Sequence, residues 1–242
     1  MESEILVAQV LMPERGVFTV RVDDRLVSSG VVGEGVGGRF IVALDYGEDV
    51  GRVFGVRPYV PSVHGDRIPG FRIVRPLDEQ DEKTLAENDT LAAAMRNAFL
   101  SFAKDAAPDI RVPVARLSFG RKKLFLRYAA DQLKIDLSAA QEALRRQFAV
   151  EVSLWAMGPR DEVSEIGGLG PCGRVCCCCS WQRRYPSKLA PDRRTSNSLP
   201  SLMNGTCGRF KCCLAFERNQ GGCFNGECLR HCEMWYNCGD EI

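Results

Sequence analysis

Two stretches of this 242-residue chain share one pattern, Cys172-Gly173-Arg174-Val175-Cys176-Cys177-Cys178 and Cys207-Gly208-Arg209-Phe210-Lys211-Cys212-Cys213. Both read C-G-R-x-x-C-C, seven residues with five fixed positions repeated after 35 residues. The repeat predicts that the copies meet in space and build one thiol-rich site. Thiolates bind soft or borderline metals because sulfur donates strongly and carries charge, and four of them enclose a zinc ion or an iron-sulfur cluster. Cys172 with Cys177, and Cys207 with Cys212, both have C-x4-C spacing, so one pair from each copy supplies four sulfurs. The usual zinc knuckle is C-x2-C, whereas C-x4-C occurs in plant-type ferredoxins. The spacing leans toward iron-sulfur and leaves zinc open.

Cys178 and Cys213 directly follow the second cysteine of each pair. Neighbouring side chains diverge by about 100° on a helix or point to opposite faces of a strand. One thiol of each adjacent pair is therefore expected to pack inward or to meet a second site. Gly173 and Gly208 permit a close turn, and Arg174 and Arg209 either offset thiolate charge or are ordinary exposed arginines. Further on, Cys223, Cys228, Cys232 and Cys238 offer a possible second four-thiol site or a cysteine-rich tail. From Cys172 to Arg218 nine Lys or Arg stand against two acids, a local charge of +7 in a chain of net +1. Trp181, Tyr185 and Phe210 lie among these bases, so Arg174, Arg183, Arg184, Arg209 and Lys211 are candidates for contact with RNA or a partner.

All twelve cysteines lie between Cys172 and Cys238. The N-terminus is acidic where a secretory peptide is basic, and no stretch approaches a membrane span, so a cytoplasmic protein with no membrane insertion is expected. In that reducing compartment clustered cysteines read as metal ligands, redox groups or core residues before disulfides. With two histidines and no nucleophile-base pair in sequence context, hydrolytic catalysis has little support.

The cysteine region needs a scaffold, and the preceding residues supply an α+β one. Four β-rich runs, Ile5 to Leu11, Val17 to Val22, Arg39 to Leu44 and Val50 to Val56, alternate with glycine-rich turns and predict a barrel-like N-terminal subdomain over 1–76. From Asp78 the period changes. Asp78 caps a predicted helix with Glu79, Asp81 and Glu82 in its first turn and Leu85, Ala92, Met95, Phe99 and Phe102 as its apolar stripe. Val112 to Ser118 and Lys123 to Ala129 predict a hairpin turning at Gly120-Arg121. A second helix follows from Asp136 or Ser138, with Leu137, Ala140, Leu144 and Phe148 on one face, and then a strand from Val150 to Ala156. Helix, two strands, helix and strand form a layer over 77–160, with helices on one face of a mostly antiparallel sheet. The cysteine-rich, metal-binding region then covers 161–217 and a cysteine-rich tail 218–242.

Three flanking stretches carry a resemblance: Met157-Gly158-Pro159-Arg160-Asp161-Glu162, Ile166-Gly167-Gly168-Leu169-Gly170-Pro171-Cys172-Gly173-Arg174, and Cys207 through Cys213-Leu214-Ala215-Phe216-Glu217. They closely resemble the bacterial RicT (YaaT) family, which carries a polymerase-suppressor-type C-terminal domain. The match is specific from 157 to 217, and above that it holds in element order only. It implies a non-enzymatic cytoplasmic regulator that acts with two small helical partner proteins in a complex carrying [4Fe-4S] clusters and directs ribonuclease Y in messenger RNA processing, with phenotypes in sporulation, competence and biofilm formation. Cys172, Cys177, Cys178, Cys207, Cys212 and Cys213 fall on the family's cysteine positions. Cys176, Cys179 and the four tail cysteines depart from its pattern. A zinc-stabilised RNA-binding protein and a thiol redox enzyme are the competing readings.

Overall fold

The computed structural model describes residues 5–13, 16–22, 26, 37–60, 70–131, 135–182, 204–209 and 211–213. The chain divides into two compact units, Met1–Ala156 and Met157–Ile242.

In the first unit, five strands close into a barrel in the order β1-β2-β5-β3-β4: β1 (Leu6–Met12), β2 (Gly16–Arg21), β3 (Arg39–Leu44), β4 (Gly47–Pro58) and β5 (Arg72–Pro76). Alternation drives the closure. Ala8, Val10, Met12, Val20, Phe40, Val42, Val53 and Ile73 turn inward into one apolar cluster, while Gln9 and Leu11 between them on β1 take the other face and Ile41 is buried outside that cluster. Gly51 lies where this core is tightest. A Cβ there would sit 2.3 Å from Val10 Cγ1 and 2.6 Å from Met12 Sδ, so no larger residue fits without moving the barrel wall.

After the barrel, the predicted change of period is realised as α1 (Glu79–Ala103), β6 (Arg111–Leu117), β7 (Lys123–Ala129), α2 (Ser138–Phe148) and β8 (Glu151–Ala156). Asp78 caps α1. Its carboxylate accepts from the Asp81 amide at 2.9 Å, and the Asp81 carboxylate accepts from the Asp78 amide at 3.0 Å, which satisfies two of the amides a helix start leaves open. Arg75, at the end of β5, grips Asp81 through both guanidinium nitrogens. That grip holds the Asp81 pKa down at about 2, helped by the bonds from Asp78 and opposed by burial.

Two expectations need correction. The sheet runs β6-β7-β8, with β6 antiparallel to β7 and β8 parallel to it. It is evenly mixed rather than mostly antiparallel, because α2 carries the chain back to re-enter in the same direction. The buried stripe of α1 is Asn88, Ala92, Met95, Phe99 and Ala103, with Phe102 39% exposed and Leu85 only partly covered. Asn88 displaces an apolar residue because the β6–β7 turn presents bare carbonyls. Its amide donates to Ser118 O (3.3 Å) and Phe119 O (3.1 Å), and its own oxygen accepts from Arg121 Nε at 2.6 Å.

The barrel and the layer have separate apolar cores and meet at their hairpins. Asp49 of β4 is fully buried. It accepts two bonds of 2.9 Å from Arg116 of β6, one of 2.8 Å from the Tyr46 hydroxyl, one of 2.9 Å from the Val50 amide and one of 3.3 Å from the Phe119 amide. Such a buried anion is tolerated because every lone pair is answered. Among the described residues no helix is long and apolar enough to cross a membrane.

Candidate functional site

The second unit opens with a helix built to carry the cysteines. Pro159 starts α3 (Pro159–Ile166), where its fixed φ costs nothing and no amide is missed. Asp161 accepts the Gly158 amide at 3.3 Å. Gly158 is closely approached, since a Cβ there would lie 3.3 Å from Arg209 Nη2 and from Asp161 Oδ2 and those side chains would have to give by a few tenths of an ångström. Arg160 is 4% exposed; its Nη2 donates to Gln182 O at 2.6 Å, and it is hydrogen-bonded to Cys212 and close to Cys178. The flanking Gly-Pro-Arg-Asp run is thus a helix start that places one buried cation beside two thiols. At the far end Gly167, at φ +83°, turns the chain out of the helix while its amide donates to Val163 O at 2.9 Å.

The two C-G-R copies fold alike. In the first, the Gly170 amide donates to Arg174 O at 2.7 Å and the Gly173 amide to Gly170 O at 2.9 Å. In the second, Gly205 donates to Arg209 O at 2.7 Å and Gly208 to Gly205 O at 2.9 Å. Gly173 and Gly208 have φ of +75° and +71°, values that an L side chain resists. The loops are tied to each other where Thr206 Oγ1 donates to Leu169 O at 3.0 Å.

Between them is a cavity of about 50 Å³ lined by Cys172, Cys176, Cys177 and Cys178 of the first copy and Cys207, Cys212 and Cys213 of the second, with Lys211 beside them. Cys172, Cys177, Cys207 and Cys212 therefore line one space, as do Cys178 and Cys213. Burial splits each adjacent pair in opposite senses. Cys178 and Cys212 are buried while Cys177 and Cys213 are partly exposed. Cys179 faces away from the cavity, its Sγ 3.9 Å from Cys178 Sγ and 3.4 Å from Val163 O. All eight described cysteines are free thiols.

Burial raises the pKa of two of the described thiols. Burial first, then the neighbouring Cys213, Cys212 and Cys172, push the Cys177 thiol up. Burial and the Cys179 contact push Cys178 up to about 12, against the pull of Arg160. The donor set, all sulfur and drawn from both loops, fits a sulfur-seeking metal. A single zinc ion asks more, since Zn–S bonds of about 2.3 Å in a tetrahedron hold sulfurs roughly 4 Å apart. Among the described residues no group of three or more Cys, His, Asp or Glu converges in that way.

Of the other sequence candidates, Arg174 and Arg209 are exposed and Lys211 is partly covered. Arg183, Arg184, Cys223, Cys228, Cys232, Cys238 and the 218–242 tail lie outside the described residues. Sequence reasoning passed over Arg160 as a supporting residue. Its signal was present, an arginine directly after the helix-starting proline, but its burial against Cys212 depends on the tertiary fold.

No family model matches the chain, and no solved structure does. A curated relative, the Bacillus subtilis (strain 168) protein named Stage 0 sporulation protein YaaT, is 28% identical over 160 residues, which are 65% of this chain and 58% of the relative. The match thus spans less than two thirds of that protein's length. Together with the paired loops and the residues that flank them, this likeness supports a YaaT (RicT)-like family for the chain.

Proposed function

We propose that the chain is a non-enzymatic cytoplasmic regulator that carries a [4Fe-4S] cluster on its paired loops. In this role it modulates messenger RNA processing by a ribonuclease Y-type nuclease, as part of a complex with small helical partner proteins. The observation that carries the reading is the equivalence of the two loops. They share one hydrogen-bond pattern, and thiols from both line a single cavity. A cubane cluster holds its irons at separate corners, so its ligand sulfurs spread more widely than those around one ion. The thiols of both loops that line the cavity would supply such a set. The cluster, when bound, would stabilise thiolate charge and make the site sensitive to oxidants.

The name of the relative places that protein in sporulation, a regulatory setting. Exposed Arg174 and Arg209, with Lys211, offer contact to RNA or a partner. The test is transcript-end sequencing in a host strain lacking the protein. Loss should shift processed 5′ ends, wild type should restore them, and Cys172→Ser should not. Unchanged ends in the deletion strain, or full rescue by Cys172→Ser, would overturn the proposal.

A further inference from the structure

The outer wall of the barrel carries arginines that no acid answers. In the strand order β4, β1, β2 and β5, Arg57 faces Val7, Val7 faces Arg21, and Arg21 faces Arg72. Toward the other end of the wall, Arg39 faces Arg52, and Arg52 faces Leu11. Like charges directly opposite on neighbouring strands repel and weaken a sheet. Arg39 is paired with Glu82 at 2.7 Å. Arg21, Arg52, Arg57 and Arg72 are exposed and make no ion pair among the described residues.

Between the two arginine rows β4 is irregular. Gln9 pairs with Gly55 while Val10 pairs with Val53, so Phe54 is the extra residue of a β-bulge. Its ring is 49% exposed, with Arg52 and Arg57 flanking it on the same strand. A bulge re-aims a side chain and is enriched at sites of function, and a phenyl left in water forfeits the burial its size would give. The wall beside it is partly exposed. Gly55 has nothing within 4 Å of a Cβ, and the same row continues through Gln9 and Thr19. On β1 the rows lie four residues apart, from Val7 to Leu11, about 13 Å.

We propose that this wall binds single-stranded RNA, with Phe54 stacking on a base and Arg21, Arg52, Arg57 and Arg72 holding the flanking phosphates. Every base offers a π-face to an exposed ring, and the planar guanidinium fork matches a phosphate. An anionic lipid surface would answer the arginines and could also take the ring at its interface, so vesicle binding is one of the outcomes of the test. The site is separate from the basic residues around the cysteines and goes beyond the cluster reading.

Fluorescence anisotropy of the full chain with an end-labelled, U-rich RNA of about 15 nucleotides tests it. Phe54→Ala should weaken binding about tenfold. The pair Arg21→Ala with Arg72→Ala should weaken it at least tenfold and flatten the log-affinity against log-salt slope by about 0.7 for each phosphate no longer neutralised. Arg21→Lys with Arg72→Lys should recover most of the affinity. Circular dichroism melts should show no loss of midpoint, since these side chains are exposed and removing the Arg21–Arg72 repulsion does not weaken the sheet. The proposal is overturned if wild type does not bind, if these variants bind as wild type does, if only Arg209→Ala with Lys211→Ala weakens binding, or if phosphatidylserine vesicles bind more tightly than the RNA. The cysteines are untouched in every barrel variant, so metal content should not change, and failure here leaves the cluster reading standing.

Discussion

Replacing Gly173 or Gly208 with alanine tests whether the two loops are equivalent halves of one site. Both glycines have positive φ, +75° and +71°, and neither has any atom within 4 Å of where a Cβ would sit. Steric collision is therefore absent, and the penalty is the backbone conformation alone, about 1–2 kcal/mol for an L-residue. That cost falls on the folded loop and corresponds to a factor of roughly 5–30. Titrating the loaded protein with a chelator should show half-loss of metal at a concentration about 5–30-fold lower for each variant. The two variants should agree within about twofold, because the loops share φ and hydrogen bonds, and the double variant should give close to the product. The melt of the first unit should not move, since both glycines lie beyond Ala156. A large effect at one glycine with none at the other, or none at either, would refute the equivalence.

Arg116→Ala strands the buried Asp49 carboxylate on neutral donors and should cost about 3–5 kcal/mol in urea unfolding of the first unit. Arg116→Ala combined with Asp49→Asn should recover part of that loss. Asp81, held at about 2 against an unfolded value of 3.8, contributes stability that is complete above pH 4 and is lost as the pH falls toward 2. Urea melts of wild type and Asp81→Asn should therefore differ at pH 5 and converge near pH 2, whereas a constant gap would contradict the Arg75 grip. Cys172→Ser and Cys207→Ser should each abolish metal binding and leave the cooperative melt of the barrel and layer in place. Global unfolding would show that the division at Ala156 is misplaced.

The parts that were legible in the sequence are those written in local chemistry. Asp78 followed by acids announced the start of α1, and the four strand runs reappear as β1 to β4 with ends shifted by a few residues. The exact repeat of C-G-R-x-x-C-C brought both copies to one cavity. What stayed hidden depends on partners distant in sequence. Asn88 breaks an apolar stripe because a turn thirty residues away needs donors. The parallel pairing of β7 with β8 follows from where α2 packs rather than from either strand's composition. Arg160 looks like any helix-surface arginine until the fold buries it against Cys212. The bulge that turns out Phe54 is set by the register between β1 and β4, which no single strand records.

The account stands most directly on what the cavity between the loops holds. Anaerobic purification of the full chain, alone and with the proposed small helical proteins, followed by iron, sulfide and zinc analysis and a visible absorption spectrum, measures it. The account predicts about four irons and four sulfides per cluster with a broad visible band that dithionite bleaches, all lost in Cys207→Ser. Near-stoichiometric zinc, with no iron and no visible band, would contradict it.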